Sequence, residues 1–139
     1  MAAALAEPAS ARPVVLGADT EVVLAGRIMG KPADPPDAVR ILKLLRARTH
    51  EVITGVALVD AGSRREQTAA VTTRVTMGNY SDGEIEAYVA TGEPLDKAGA
   101  YAVQGVGAGL IAAVDGCLTN VVGLPLSTTR RLLEQWGLL

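Results

Sequence analysis

Phenylalanine is absent from this sequence, and tryptophan, cysteine and histidine each occur once. With so few large rings, a core has to be assembled from Val, Leu, Ile and Ala, leaving Trp136 as the one large anchor. The lone Cys117 excludes an internal disulfide and agrees with a reducing compartment. A single histidine, His50, argues against a Ser-His-Asp triad and against a multi-histidine metal site. Excess positive charge is also lacking. Thirteen Lys and Arg face fifteen Asp and Glu, for a net charge of −2. A general nucleic-acid binder needs clustered cations to neutralise phosphates, so no nucleic-acid partner is expected. No apolar run reaches the ~18–20 residues of a membrane helix. The start, Met1 to Glu7, has no basic n-region and meets Glu7-Pro8 too early for a signal peptide. The reading is a cytoplasmic chain with no membrane partner.

What is present suits a globular protein: 139 residues, 49% hydrophobic and 20% charged, the size of one domain spanning 1–139. Residues 1–12, rich in Ala and broken by Pro8, read as a disordered or residual-helix lead-in. Val14-Val15-Leu16, ended by Gly17, has the pattern of a short buried strand, and Glu21 to Leu24 that of a second extended stretch before an Ala25-Gly26 turn. Asp34-Pro35-Pro36-Asp37 supplies an N-cap, Pro in the first turn and acids at the positive helix end, predicting a helix to about Ala47. Glu51–Asp60 and Arg65–Met77 are rich in Val, Ile and Thr and flank Ala61-Gly62-Ser63, which predicts a hairpin. A capping box, Ser81 to Glu84, opens a helix stopped by Gly92. Leu110 to Val114 reads as a strand, and Ser127 as the start of a last helix carrying Leu132, Leu133 and Trp136. This order predicts an α/β fold with a mixed central sheet flanked by helices.

Few motifs carry chemistry, and each has a plain alternative. Asp19 lies just past the apolar run, where open α/β sheets place ligands. Its carboxylate could hold Mg²⁺, activate a water, or simply cap a turn. Lys31, between Gly30 and Pro32, could offer a point charge to a phosphate, with Gly30 permitting close backbone approach, or be a solvated loop lysine. Gly26 to Gly30 is too short for a P-loop, and Leu110 breaks any dinucleotide fingerprint in Gly105–Gly109, which reads as a flexible turn. Glu93, Asp96 and Lys97, with Tyr101 and Gln104, could line a polar pocket or form a surface ion pair. Arg40, Lys43 and Arg46 make a basic stripe with no aromatic between them, as on a solvated helix face.

Taken in order, these segments resemble the Maf-like nucleoside triphosphate pyrophosphatases, of the dTTP/UTP subgroup. The likeness runs from Val14 to the C-terminus, through Leu16-Gly17-Ala18-Asp19-Thr20, Gly30-Lys31-Pro32, Arg48 to Val52 with Thr54-Gly55, Thr91 to Tyr101, Gln104-Gly105 and Asn120 to Pro125. The resemblance implies a Maf/inosine-triphosphatase-like fold. It implies a hydrolase acting on acid anhydrides, which converts a nucleoside triphosphate such as dTTP, UTP or a modified pyrimidine nucleotide to monophosphate and diphosphate. A divalent cation, Mg²⁺ or Mn²⁺, is the implied cofactor. Asp19 matches the proton acceptor and tentative metal ligand, Lys31 a phosphate contact, and Thr20 and Gln104 the positions tied to base choice.

The sequence also departs from that pattern. The family's opening strand, its Ser-x-Ser-Pro-Arg-Arg loop and a lysine-bearing helix have no counterpart ahead of Val14, and Met77-Gly78 stands for a usual Phe-Arg pair. A fold truncated in this way would leave Val14-Val15-Leu16 as an exposed edge and lack an arginine clamp, through a mis-assigned start or a degenerate copy. Alternatives therefore stay open: an impaired nucleotide-binding regulator or division-arrest factor, or a fragment held together as a homodimer.

Overall fold

The computed structural model describes residues 2–5 and 13–139. Its frame is a six-stranded sheet. Strand β2 (Val14–Leu24) pairs with β4 (Thr49–Asp60), β4 with β5 (Glu66–Met77), and β5 with β6 (Ile111–Asp115). The other edge of β2 carries β1 (Ala2–Leu5) and the short β3 (Arg27–Met29). Helices α1 (Pro35–Leu45) and α2 (Asp82–Ala90) precede β6, and α3 (Leu118–Val122) and α4 (Leu126–Gln135) follow it.

The α/β architecture is the expected one, with three differences. Every pairing among the described strands is antiparallel rather than mixed. The two extended stretches expected around Gly17 are one strand, because Gly17 pairs in register with Ala57 and the β2–β4 ladder runs unbroken from Val14↔Asp60 to Val23↔Glu51. Ala2–Leu5, expected within a disordered or helical lead-in, is a strand registered against Val14–Gly17, so the apolar edge of Val14–Leu16 is covered. The rest of that lead-in lies outside the described residues.

Local chemistry explains the elements. The Asp34 side chain accepts from Asp37 N at 2.8 Å with Pro in the first turn, and Ala38, Ile41, Leu42 and Leu45 form the buried face of α1. The capping box is present: Ser81 Oγ accepts from Glu84 N, while Ser81 N donates to the Glu84 carboxylate. On β4, the period of two turns His50, Val52, Thr54, Val56 and Leu58 inward.

Both arginines of the basic stripe have structural partners. Arg40 pairs with Asp37, and Arg46 clamps α1 to the start of α2 through Asp82 at 2.6 Å and the Tyr80 carbonyl at 3.2 Å. The main apolar cluster includes Tyr80, Tyr88 and Tyr101, so the aromatic anchors of the core are these tyrosines, with Trp136 at the edge of a second, smaller cluster.

Candidate active site

The free edge of β2 is only partly covered. β1 takes Val14–Gly17 and β3 takes Val22–Leu24, and no described strand pairs with residues 19–21 on that side. A cavity of about 550 Å³ opens at this notch. Asp19 and Thr20 line it from the strand, Lys31 from the loop before α1, Asp96 and Lys97 from the turn after α2, Gln104 from the segment beyond, and Val121 to Gly123 from the end of α3 and its cap. The sequence placed Asp19 at a strand end. It sits instead in mid-strand, in a gap between two edge partners, because the sheet is antiparallel and β2 does not stop.

The loops that carry the two lysines are tied together. Gly99 N donates to the Gly30 carbonyl at 3.2 Å, drawing the Lys31 loop toward Asp96 and Lys97. The close approach depends on Gly99 rather than Gly30. At φ +73 a Cβ on Gly99 would lie 3.0 Å from Val22 Cγ1, whereas one on Gly30 would meet open space. Lys97 Nζ pairs with Asp96 Oδ1 at 3.0 Å. That hydrogen bond holds the Asp96 carboxyl below the usual carboxylate range, and Lys31 adds to the effect. Thus the surface ion pair and the polar pocket, posed as alternatives, are both present. Asp19 makes no ion pair among the described residues, so its carboxylate is available to a cation or a water.

Glu93 is not in the cavity wall. Its carboxylate accepts from Tyr88 Oη at 3.0 Å, Gly107 N at 3.1 Å and Val106 N at 3.3 Å. Desolvation works to raise its pKa, but these bonds hold it below the ordinary value. The glycine run it grips is a tight 3-10 turn, Gly105–Leu110, where a Cβ on Gly107 would lie 2.4 Å from the Ala102 carbonyl. Glycine serves close packing there, not looseness.

Tyr101 lines the cavity, and its hydroxyl meets His50 Nε2 at 2.6 Å. Burial drives the His50 pKa down from 6.5 to about 4, so the ring is neutral near pH 7. Beneath the cavity lies a buried polar group whose members the sequence reading met only in separate segments. The hydroxyls of Thr20 and Thr54 are 2.8 Å apart, and Asn120, wholly buried, donates from Nδ2 toward Val52 O, Val71 O and Thr73 Oγ1. The available signal was Thr54, a hydroxyl at an inward position between Val52 and Val56.

The arrangement joins an unpaired carboxylate, two ammonium groups and an amide around one cavity, as phosphate binding and water activation require. Among the described residues no three His, Cys, Asp or Glu form a metal cluster. No described helix is long and apolar enough to cross a membrane.

The Maf-like protein family matches residues 1–136. A dTTP/UTP pyrophosphatase of Dictyoglomus turgidum is 52% identical over 124 residues, covering 89% of this chain and 64% of the relative. The proteins of that name from Moorella thermoacetica and Myxococcus xanthus are each 53% identical over 124 residues, with 89% of this chain and 64% and 62% of the relatives covered. The chain thus spans a little under two thirds of these relatives' length.

Proposed function

Since this chain belongs to the family of Maf-like proteins, we propose that its cavity serves a nucleoside triphosphate pyrophosphatase acting on dTTP and UTP, in the cytoplasm. One observation carries the reading: Asp19, Thr20, Lys31 and Gln104, expected on sequence grounds to share a site, line one cavity. The names of the relatives support the substrate class.

In this reading Lys31 and Lys97 bind the phosphate chain and offset its charge. Water attacks across the α–β anhydride: one phosphorus gains the water oxygen, and the bridging oxygen leaves with the other phosphoryl group. The Asp19 carboxylate accepts the water's proton or holds the cation. The donor set fits Mg²⁺ or Mn²⁺, since such ions use one or two protein carboxylates and take the rest of their shell from phosphates and water. A bound cation would supply charge neutralisation, with Asp19 as its protein ligand. Gln104, exposed at the cavity wall, is assigned to the base, where its amide can both donate and accept.

The test is diphosphate release from dTTP and UTP with Mg²⁺ or Mn²⁺, beside direct binding of the same nucleotides. Release of diphosphate and monophosphate together is the expected result. Tight binding without turnover would replace this reading by a nucleotide-binding regulator.

A further inference from the structure

His50 holds an inward position on β4, opposite Val75 and one inward step from Val52, where the pattern calls for an apolar side chain. It is 1% exposed, and its Nδ1 is buried without a hydrogen-bond partner. An imidazole there costs stability that a leucine would not. What it gains is the bond between Nε2 and Tyr101 Oη at 2.6 Å. Tyr101 is itself buried, and its hydroxyl has no other hydrogen-bond partner among the described residues. A buried hydroxyl needs an acceptor, so Tyr101 O–H donates to a bare Nε2 and the neutral ring carries its proton on Nδ1. The reverse arrangement would orphan the Tyr101 proton as well.

Tyr101 ends the turn that begins at Lys97. Ala100 N closes that turn on the Lys97 carbonyl at 3.0 Å, and Gly99 N reaches the Gly30 carbonyl, next to Lys31, at 3.2 Å. Ala100, wholly buried, holds φ +60, a left-handed conformation that a residue with a Cβ keeps only where its surroundings fix it. Among the described residues, the bond from Tyr101 to His50 is the one hydrogen bond between residues 97–101 and the sheet. We propose that His50 is a positioning residue, which through Tyr101 holds the turn 97–101 and with it the Lys31 loop, so that the two ammonium groups are spaced in advance for a phosphate chain. Direction is what the imidazole adds. An apolar contact at the same place would fill the space but let the ring slide, whereas a hydrogen bond weakens steeply off its axis. A turn fixed before the ligand arrives lowers the ordering cost of binding.

This inference rests on the reading of the cavity as a triphosphate site, and its test keeps the two apart. Calorimetric binding of inorganic diphosphate with Mg²⁺, and dTTP turnover, are compared in the unmodified chain, His50→Leu, His50→Gln, and His50→Leu combined with Tyr101→Phe. His50→Leu should weaken diphosphate binding and raise the KM for dTTP by about tenfold, with a smaller effect on kcat, because the lysines hold the phosphates in ground and transition states alike. Glutamine can accept from Tyr101 near the same point, so His50→Gln should restore both. The double variant discriminates. Removing both polar partners leaves neither unpaired, so its melting temperature should return toward that of the unmodified chain while diphosphate affinity stays about tenfold low. A merely structural role would bring affinity back together with stability, and that result overturns the inference. So does undiminished diphosphate binding in His50→Leu, or no diphosphate binding by the unmodified chain. Should His50→Leu alone fail to fold, the double variant and His50→Gln carry the comparison. Diphosphate binding that depends on His50, with no turnover of any triphosphate, overturns the pyrophosphatase reading and leaves this one standing.

Discussion

The two ends of the same strands are packed in different ways. At one end β2, β4 and β5 contribute Val22, Leu24, Val52, Val75 and Met77 to a large cluster roofed by α1 and α2 and reinforced by three buried tyrosines. At the other end Val14, Val56 and Leu58 meet Leu132 of α4, with Leu16, Ala69, Leu133 and Trp136 only partly covered. Between the clusters runs a band of hydroxyls, Thr20, Thr54 and Thr73, bridged by Asn120. The band can be polar because each hydroxyl has a partner, while Asn120 Oδ1 is buried without one. On the function proposed above, the contrast gives stability mainly to the first end, ligand chemistry to the band and its notch, and a supporting role to the second end.

The sharpest test of that division is Asp19→Asn. Loss of a catalytic carboxylate costs ~10²–10⁴ in rate, and because Asp19 is exposed and makes no described ion pair, the melting temperature should stay within about two degrees. Initial rates on dTTP and a thermal melt of the same sample measure both. A large fall in melting temperature would mean that the notch is part of the frame, and the division would fail.

A pair of truncations compares the two ends directly. Leu45 is fully buried on the inner face of α1, so Leu45→Ala should cost ~2–5 kcal/mol toward the upper end of that range. Leu132→Ala leaves a gap among partly exposed neighbours that can relax or admit water, and should fall near the lower end, about 2 kcal/mol. Urea unfolding of both variants gives the comparison. Equal losses would show that the second cluster is as tightly built as the first.

Acid should also act on the larger end. His50 has its pKa depressed by burial from 6.5 to about 4, so the unfolded chain takes up a proton that the folded chain refuses. Stability is therefore complete above 6.5 and declines as pH falls from 6.5 toward 4, by roughly 3 kcal/mol in total. The lowered carboxyls of Asp37, Asp82 and Asp96 begin to lose their contribution near their ordinary value of 3.8, and that of Glu93 near 4.5, so the upper part of the range belongs to His50 alone. Unfolding free energy should lose its slope between pH 6.5 and about 5 in His50→Gln. A slope that survives the substitution would point to another group.

Much of the fold was legible because its signals are local. The Asp34 cap, the Ser81–Glu84 box and the alternation along residues 49–77 each specify their element within a few residues, and all three appear. Pairing partners were less legible. Nothing near Gly17 says whether a strand stops or continues, since the answer lies forty residues away in Ala57. The short run Ala2–Leu5 has too little pattern to declare itself a strand until Val14–Gly17 is there to receive it. The site showed the same split. Asp19, Thr20, Lys31 and Gln104 were found as types in family-like positions, and the cavity unites them. Glu93, left open between a pocket residue and a surface ion pair, was not legible as the acceptor of Val106 and Gly107 because those hydrogen bonds are tertiary. Thr54 and Asn120 were met only as parts of family-like runs for the same reason: their joint meaning exists only where three strands and a five-residue helix meet.

The smallest expected effect lies at the rim of the minor cluster. The Arg65 guanidinium sits 4.2 Å from the Trp136 ring centroid, while Trp136 Nε1 donates to Gln67 Oε1 at 2.8 Å. Arg65 is exposed, so the cation–π contact competes with water, and Arg65→Ala should cost only about 0.5–1 kcal/mol. Arg65→Lys should recover part of that, since an ammonium keeps the charge but not the planar stacking of a guanidinium. Trp136 fluorescence during urea unfolding reports on the contact itself and on global stability in one titration. A loss matching that of Leu45→Ala would invert the comparison. The minor cluster would then depend on its charged rim more than on Leu58 and Leu132, and salt would weaken it in proportion.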